Sequence, residues 1–549
     1  MQILKYHGSY MQFNREDKKK PKSYQFMLRL KQPAGELPAG LYKLLDDLSE
    51  KYGQGDLRAT TRQCFQLHGV LKGGLKTVVS SIMNFGSSTV GACGDVSRNV
   101  MTTPAPFTGD NERGRAYDVA REWSKVFAHL FRPMTPAFSE IWLDGNKVAT
   151  AEMWGAEVEK FDIDKVMHHD NGNGVVIPHP VEPIYGDRYL PKKFKIGITV
   201  QGDNSIDIYT NDIGLVVVMS DDGKEHLGFN VMVGGGMGRS HGKDSTFARA
   251  ADHMCFVKKE DAMELMKAIV ATQRDHGNRE VRQNARMKYL VHTLGVDGFR
   301  KLVESYFGKE TDDFRPMLEW KYSDWMGWYD QGDGRKFLGV HIENGRVKDE
   351  GDFKMKTALR VIADKYDRPM VMSPTQSILI RDIEGKDVAD IDKILKEHGI
   401  ASIEDIDPLN RMAMACPAMP LCGLAMTEAE RRMPTTLSRV RVLLNEKGLG
   451  DKEIMIRMTG CPNGCVRPYM AELAFVGDGN DSYQIWVGGS PVLTRTGYPF
   501  VSKMKDADLE KTLGPMFDMW KEQRANEFEG FGEFTNRVGY EAIEKFVGK

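Results

Sequence analysis

The sequence predicts an α+β fold of two pseudo-symmetric halves, on the strength of three observations. A strand–helix–strand run near the N-terminus returns in the second half of the chain. Each copy is followed by a longer stretch of mixed helices and strands. Four of the seven cysteines fall between positions 416 and 465, after the second copy only. At 549 residues the chain has room for roughly two to four domains and a sizeable core without disulfides or a structural metal.

In the first copy, Tyr24-Gln-Phe-Met-Leu-Arg-Leu alternates as a strand does, Gly40 to Tyr52 has helical period, and Leu57 to Val70 alternates again. Gln25, Met27, Arg29 and Lys31 then share one face of the first strand, opposite Phe26, Leu28 and Leu30. Along the strand after Leu57, a cationic face is expected from Arg58, Thr60, Arg62, Cys64 and Gln66, with Phe65 and Leu67 pointing the other way. The second copy reads as Phe337-Leu-Gly-Val-His-Ile-Glu-Asn-Gly, a strand into a turn, then a helix from Thr357 to Tyr366 and a strand from Met370 to Arg381. Laying Thr61-Arg-Gln-Cys-Phe-Gln-Leu on Pro374-Thr-Gln-Ser-Ile-Leu-Ile sets Gln63 on Gln376 and points to a duplicated unit. The expected limits are 1–105 and 321–400 for the two copies, with lobes at 106–320 and 401–549.

Seventy-five Lys and Arg face 77 Asp and Glu, a net charge of −2, which argues against a protein that holds nucleic acid or a membrane surface through overall charge. No apolar run is long enough to span a bilayer and the first residues lack a signal peptide's pattern, so a cytoplasmic location is expected. The run Glu16-Asp-Lys-Lys-Lys-Pro-Lys reads as a solvated loop.

Local groups of cations stand out against this balance. Lys193 and Lys195 share a face as they enter an apolar strand, with Lys192 and Phe194 on the other. Arg279, Arg282 and Arg286 follow i, i+3, i+7 spacing, which predicts three guanidiniums on one helix face. Several such groups in one near-neutral chain suit a ligand with many carboxylates or an oxyanion substrate. The glycine run Val231-Met-Val-Gly-Gly-Gly-Met-Gly-Arg has Arg239 where a dinucleotide fingerprint has its last glycine, so it reads as a loop of close backbone approach.

Five residues separate Cys416 from Cys422 and three separate Cys461 from Cys465, each pair set among Pro and Gly. Proline fixes φ and removes donors, and Asn463-Gly464 permits a tight turn, so four thiolates can point inward while spare N–H groups face a cluster's sulfides. The bland alternatives are a structural zinc, which usually prefers about two residues between paired ligands, and buried unligated thiols, which need no paired turns. Cys64 and Cys255 read as small buried residues.

Several motifs together resemble one family. They are Thr61-Arg-Gln-Cys-Phe-Gln-Leu-His-Gly, Gly94-Asp-Val-Ser-Arg-Asn-Val, Glu140-Ile-Trp-Leu-Asp-Gly, Tyr189-Leu-Pro-Lys-Lys-Phe-Lys, Gly228-Phe-Asn-Val-Met-Val-Gly-Gly-Gly, Thr272-Gln-Arg-Asp-His-Gly-Asn-Arg and Thr459-Gly-Cys-Pro-Asn-Gly-Cys. The chain is similar over nearly its whole length to the siroheme and iron–sulfur sulfite and nitrite reductases, above all to their assimilatory sulfite-reducing hemoproteins. The resemblance implies ferredoxin-like halves, a siroheme cradled between three lobes, and a [4Fe–4S] cluster on Cys416, Cys422, Cys461 and Cys465, with Cys465 also the axial ligand of the siroheme iron. It implies that Arg29, Arg98, Lys193 and Lys195 bind the substrate anion and that Arg58, Arg62, Gln66, Arg286, Lys288, Asn463 and Arg467 contact siroheme.

The expected activity is the six-electron reduction of sulfite to sulfide. Nitrite reduction to ammonia on the same cofactors is the nearest alternative; plant-type nitrite reductases tend to carry asparagine where this chain has Lys195. A non-catalytic electron carrier would have no use for so many pocket cations. No flavin or NADPH segment is found, so an electron-donor protein is expected, either a flavoprotein subunit or, favoured by a chain that begins close to the first family strand, a ferredoxin-like carrier. Tyr10 and Cys93 occupy positions where some ferredoxin-linked relatives carry a tyrosine–cysteine thioether.

Overall fold

The computed structural model describes residues 2–16, 22, 24–133, 140–143, 146–150, 182–186 and 188–548. Residues 17–21 of the charged run, and Asp144 and Gly145 of the Glu140 motif, lie outside the described residues.

Two five-stranded antiparallel sheets exchange strands. The first runs in the order Ser9–Phe13, Tyr24–Arg29, Phe65–Val70, Leu57–Ala59 and Arg346–Val347, the last contributed by the second half. The second runs Gly327–Asp330, Lys336–Val340, Ile378–Ile383, Met370–Met372 and Glu36–Leu37, the last contributed by the first half. Arg346 pairs with Arg58 and Val347 with Leu57, while Glu36 pairs with Val371 and Leu37 with Met370. The helix Ala39–Tyr52 starts after Pro38 and ends at Gly53, and its Leu41, Leu45 and Leu48 fall on the buried side. With Leu359 and Ile362 of the helix Met355–Tyr366, these side chains form one core with strand residues of both sheets.

The expected single strands after Leu57 and after Met370 are hairpins. Leu57–Ala59 turns back into Phe65–Val70, and Met370–Met372 into Ile378–Ile383. Gln63 at φ 52° and Gln376 at φ 66° lie in these turns, and a left-handed residue interrupts the alternation that an unbroken strand requires. Gln63 ties its turn to the other half by donating to Met372 O (3.0 Å), and Gln376 ties its own to the second lobe by donating to Ala415 O (3.0 Å). Arg58 and Gln66 still share a face, now as cross-strand partners.

The two lobes repeat each other. In the first, Met101–Thr102, Ile196–Val200, Ile213–Met219, His226–Val233 and Asp252–Lys258 lie side by side, with two parallel pairings and then two antiparallel ones. In the second, Met414–Ala415, Ile456–Thr459, Leu473–Gly479, Ser482–Val487 and Tyr498–Lys505 have the same order and directions. Both sheets lead into two helices, the second of which is interrupted by a left-handed glycine, Gly295 in Met287–Phe307 and Gly539 in Phe531–Val547.

Arg279, Arg282 and Arg286 do not share a helix face. Gly277 ends the helix Ala262–His276 and the next begins at Met287, so all three lie in the connection between helices. Arg279 donates to Tyr189 O (2.5 Å), and Arg282 pairs with Asp95 (2.8 Å).

Candidate cofactor and anion site

The cysteines sit on two loops at the ends of adjacent parallel strands. Cys416 follows Met414–Ala415 and donates its N–H to Met458 O (3.2 Å). Cys461 and Cys465 follow Ile456–Thr459, where Gly464 at φ 61° turns the chain and Gly460 N–H donates to Cys416 Sγ (3.4 Å). Asn463 Nδ2 donates to Cys461 Sγ (3.5 Å). Cys416 and Cys461 are buried and Cys465 is exposed. Burial, then the charge of Cys465 and its fellows, pushes the Cys416 thiol up, and Cys461 is pushed up to about 11 for the same reasons. Thiols that push one another up, with N–H donors on the Cys416 and Cys461 sulfurs, call for a positive centre among them. Among the described residues no three His, Cys, Asp or Glu converge as a single metal ion requires.

Cys465 belongs equally to a second neighbourhood. It stands within electrostatic reach of Arg29, Lys193 and Arg286. Lys193 is pushed down to about 7, first by Arg286 and then by burial, Arg98 and Arg29. Lys195 is driven down by burial and by Arg62, Lys193 and Arg286. Lys193 and Lys195 meet the same Arg286, as their shared face predicts, while Phe194 is in the core and Lys192 Nζ donates to Arg282 O (3.5 Å). Arg98 Nε donates to Gly94 O (3.0 Å). Arg29 is held by Gln66, whose amide oxygen accepts from Nε (2.8 Å) while its nitrogen donates to His68 Nε2 (3.1 Å). On its other side Arg29 Nη1 donates to Cys93 Sγ (3.1 Å). Asp212 is a carboxylate among these cations, and burial raises its pKa against the pull of Arg286 and Lys195.

The remaining expected cofactor contacts have protein partners. Arg62 donates to Asn211 Oδ1 (2.7 Å) and Ile196 O (3.1 Å), leaving Nε without a partner among the described residues. Arg58 forms a buried ion pair with Glu430, whose N–H donates to Cys416 O (3.1 Å). Lys288 donates to Gly236 O (3.1 Å), Gly238 O (2.9 Å) and Phe247 O, and so fixes the glycine loop, which meets the cysteine loop where Arg239 N–H donates to Pro462 O (2.9 Å). Arg467 is bound to Asp207, Thr61 O (3.1 Å) and Pro374 O (3.0 Å). Asp207, Asp212 and Glu430 were not foreseen, because each stands in no local motif and meets its partner only across the folded halves.

The donor set fits the implied groups. Four thiols suit an iron–sulfur cluster, and Arg29, Arg62, Arg98, Lys193, Lys195 and Arg286 with little counter-charge suit a polycarboxylate macrocycle and an anion.

A family model described as the nitrite and sulphite reductase 4Fe-4S domain matches residues 122–311. One described as the nitrite/sulfite reductase ferredoxin-like half domain matches residues 17–84 and 329–398. The cluster-domain match falls on the first lobe, which has the second lobe's strand order but not its cysteines. A protein named sulfite reductase (ferredoxin) from Synechococcus elongatus is 50% identical over 548 residues, covering 100% of this chain and 85% of that protein. The sulfite reductase (NADPH) hemoprotein beta-component of Staphylococcus saprophyticus is 38% identical, covering 98% and 90%. The structure of Mycobacterium tuberculosis NirA protein matches with TM-score 0.74 at 20% identity over 98% of this chain and 90% of that one, which shows the fold alone. The fold and site define a redox protein of duplicated ferredoxin-like halves with two cysteine pairs beside a cluster of buried cations. The chain belongs to the nitrite and sulfite reductase family.

Proposed function

We propose that this chain reduces sulfite to sulfide with siroheme and a [4Fe–4S] cluster held by Cys416, Cys422, Cys461 and Cys465. The observation that carries this reading is the double membership of Cys465, one thiol shared between the cysteine quartet and the cations that line the anion pocket. Sulfur passes from +4 to −2, so six electrons must arrive in steps; a bound siroheme and [4Fe–4S] cluster would supply the one-electron redox chemistry, with Cys465 among the residues that would hold both.

The chain's own residues bind, orient and protonate. Arg29 and Arg98 keep their charge and hold the oxyanion. Lys193, near pH neutrality at about 7, gives up a proton readily as each oxygen leaves as water. Lys195 adds the second ammonium that suits a dianion. Arg62 and Arg286 offer charge to the macrocycle's carboxylates, while Arg58, Gln66, Lys288, Asn463 and Arg467 fix the walls that receive it. The likeness to a relative named for ferredoxin supports a ferredoxin-like carrier as electron donor, with a flavoprotein subunit as the alternative. Among the described residues no helix is long and apolar enough to cross a membrane, and we assign the protein to the cytoplasm. The domain limits 1–105, 106–320, 321–400 and 401–549 are part of this proposal.

Steady-state turnover with reduced methyl viologen tests the substrate. The expected kcat/KM for sulfite exceeds that for nitrite on the same preparation; the opposite order would transfer the chain to nitrite reduction.

A further inference from the structure

The loop that carries Cys465 has a counterpart in the first lobe, and the two loops clasp each other at the junction of the halves. Asp207 (φ 51°, ψ 57°) and Arg467 (φ 57°, ψ 48°) open equivalent 3-10 turns, Ile208–Thr210 and Pro468–Met470, after equivalent strands. Aligning them sets Cys465 on Ser205. In the first lobe the space has become a polar network, in which Thr103 Oγ1 (2.5 Å) and Tyr117 OH (2.8 Å) both donate to Asp203 Oδ2. Two positions after Ser205 the first lobe has an acid, Asp207, which faces its basic counterpart Arg467.

Asp207 is fully buried. Its Oδ2 accepts from Arg457 Nη1 (2.5 Å) and from Arg467 Nε, and its Oδ1 accepts from Arg457 Nη2 (3.2 Å). Arg457 in turn donates to Arg467 O (3.2 Å), which fixes the backbone two residues from Cys465. With Nε taken by Asp207, the other arms of Arg467 reach Thr61 O (3.1 Å) and Pro374 O (3.0 Å), one in each half's glutamine hairpin. Thr61 Oγ1 then donates to Cys465 O (3.1 Å). Asp207 is thus the anchor of a chain of contacts from the first lobe, through Arg467 and the Thr61 hairpin, to the backbone of Cys465.

We propose that Asp207 is a positioning residue that sets where the Cys465 sulfur stands between the cluster loop and the anion pocket. A buried carboxylate shared by two guanidiniums resists displacement, because moving it leaves both cations uncompensated. A planar guanidinium with all its arms engaged holds its backbone in one place. This inference rests on the reading that Cys465 joins siroheme and cluster.

The test compares holoenzyme of the wild type with Asp207→Asn, Asp207→Glu and Thr61→Val. Asp207→Asn is expected to retain cluster iron and acid-labile sulfide but to change the rhombicity of the siroheme EPR signal and lower kcat for sulfite at least tenfold, with KM within threefold. Asp207→Glu restores part of the spectrum, and Thr61→Val gives a smaller change in the same direction. Wild-type spectra and kcat in Asp207→Asn overturn the proposal. Should that variant fail to fold, Thr61→Val decides: a shifted signal supports the anchor and an unchanged one removes it. Wild-type protein lacking siroheme altogether would instead defeat the functional reading on which the inference stands.

Discussion

Lys193 is an ammonium packed among Arg286, Arg98 and Arg29, and its pKa is pushed down to about 7 from the ordinary 10.5. The unfolded chain binds this proton more tightly than the folded one, so the group disfavours the folded state most below about pH 7. That cost shrinks as pH rises toward the ordinary lysine range, where both states are neutral. Lys193→Met is therefore expected to raise the thermal midpoint of cofactor-free protein at pH 6 and to change it much less at pH 10. It should also lower sulfite turnover on the order of 100-fold or more, since a positioned proton donor is lost. A midpoint gain of equal size at both pH values, or full turnover, would contradict this. The face shared by Lys193 and Lys195 is legible in the sequence because alternation along a strand is a local rule. The contact of Arg467 with Asp207 is not, because its partners lie 260 residues apart and neither stands in a motif for ion pairing.

Among the elements, the glycine loop Gly234–Gly238 shows how a backbone can shape a pocket. Gly234 N–H donates to Asp212 O and Gly235 N–H to Asn211 O, both at 3.0 Å. A Cβ on Gly235 would stand 2.2 Å from Tyr209 O and 2.5 Å from Asn211 O. Gly235→Ala must push the loop off Asn211, the residue that receives Arg62, at a cost of about 1–3 kcal/mol. Denaturant unfolding should show that loss together with weaker siroheme retention, whereas wild-type stability and cofactor content would show that the loop has room to spare. Close approach was readable from the run of glycines, but the surface it approaches was not. The hairpins at Gln63 and Gln376 were misread as strands because a left-handed residue leaves the hydrophobic pattern intact while reversing the chain. The three arginines from Arg279 to Arg286 keep helical spacing by sequence although Gly277 has already ended the helix.

At the scale of the molecule, the two halves are one folding unit. The sheet of each half ends in a two-residue strand given by the other, and a single core holds Leu45 and Leu67 with Leu359 and Ile380. Leu359→Ala in the second half should cost about 2–5 kcal/mol and lower the unfolding midpoint of both halves together. Two calorimetric transitions, with only one shifted, would mean that the halves fold apart. The duplication was legible in the strand–helix–strand copies, where Gln63 meets Gln376. It was hidden in the lobes, because the first has the Thr103, Asp203 and Ser205 network in place of the cysteines, and the kinship lies in strand order, the equivalent 3-10 turns and the glycine-interrupted helices. The exchanged strands are too short for any periodicity to reveal.

Cys465 joins these scales in the proposed function, since its thiol is assigned to the quartet beside the pocket cations and its backbone carbonyl accepts from Thr61 of the first half. The most direct measurement is the visible and EPR spectrum of purified Cys465→Ser with its sulfite turnover. The expected variant lacks the wild-type coupling between siroheme and cluster signals and does not turn over sulfite by six electrons. A variant with both chromophores, their coupling and wild-type sulfide production would contradict the account.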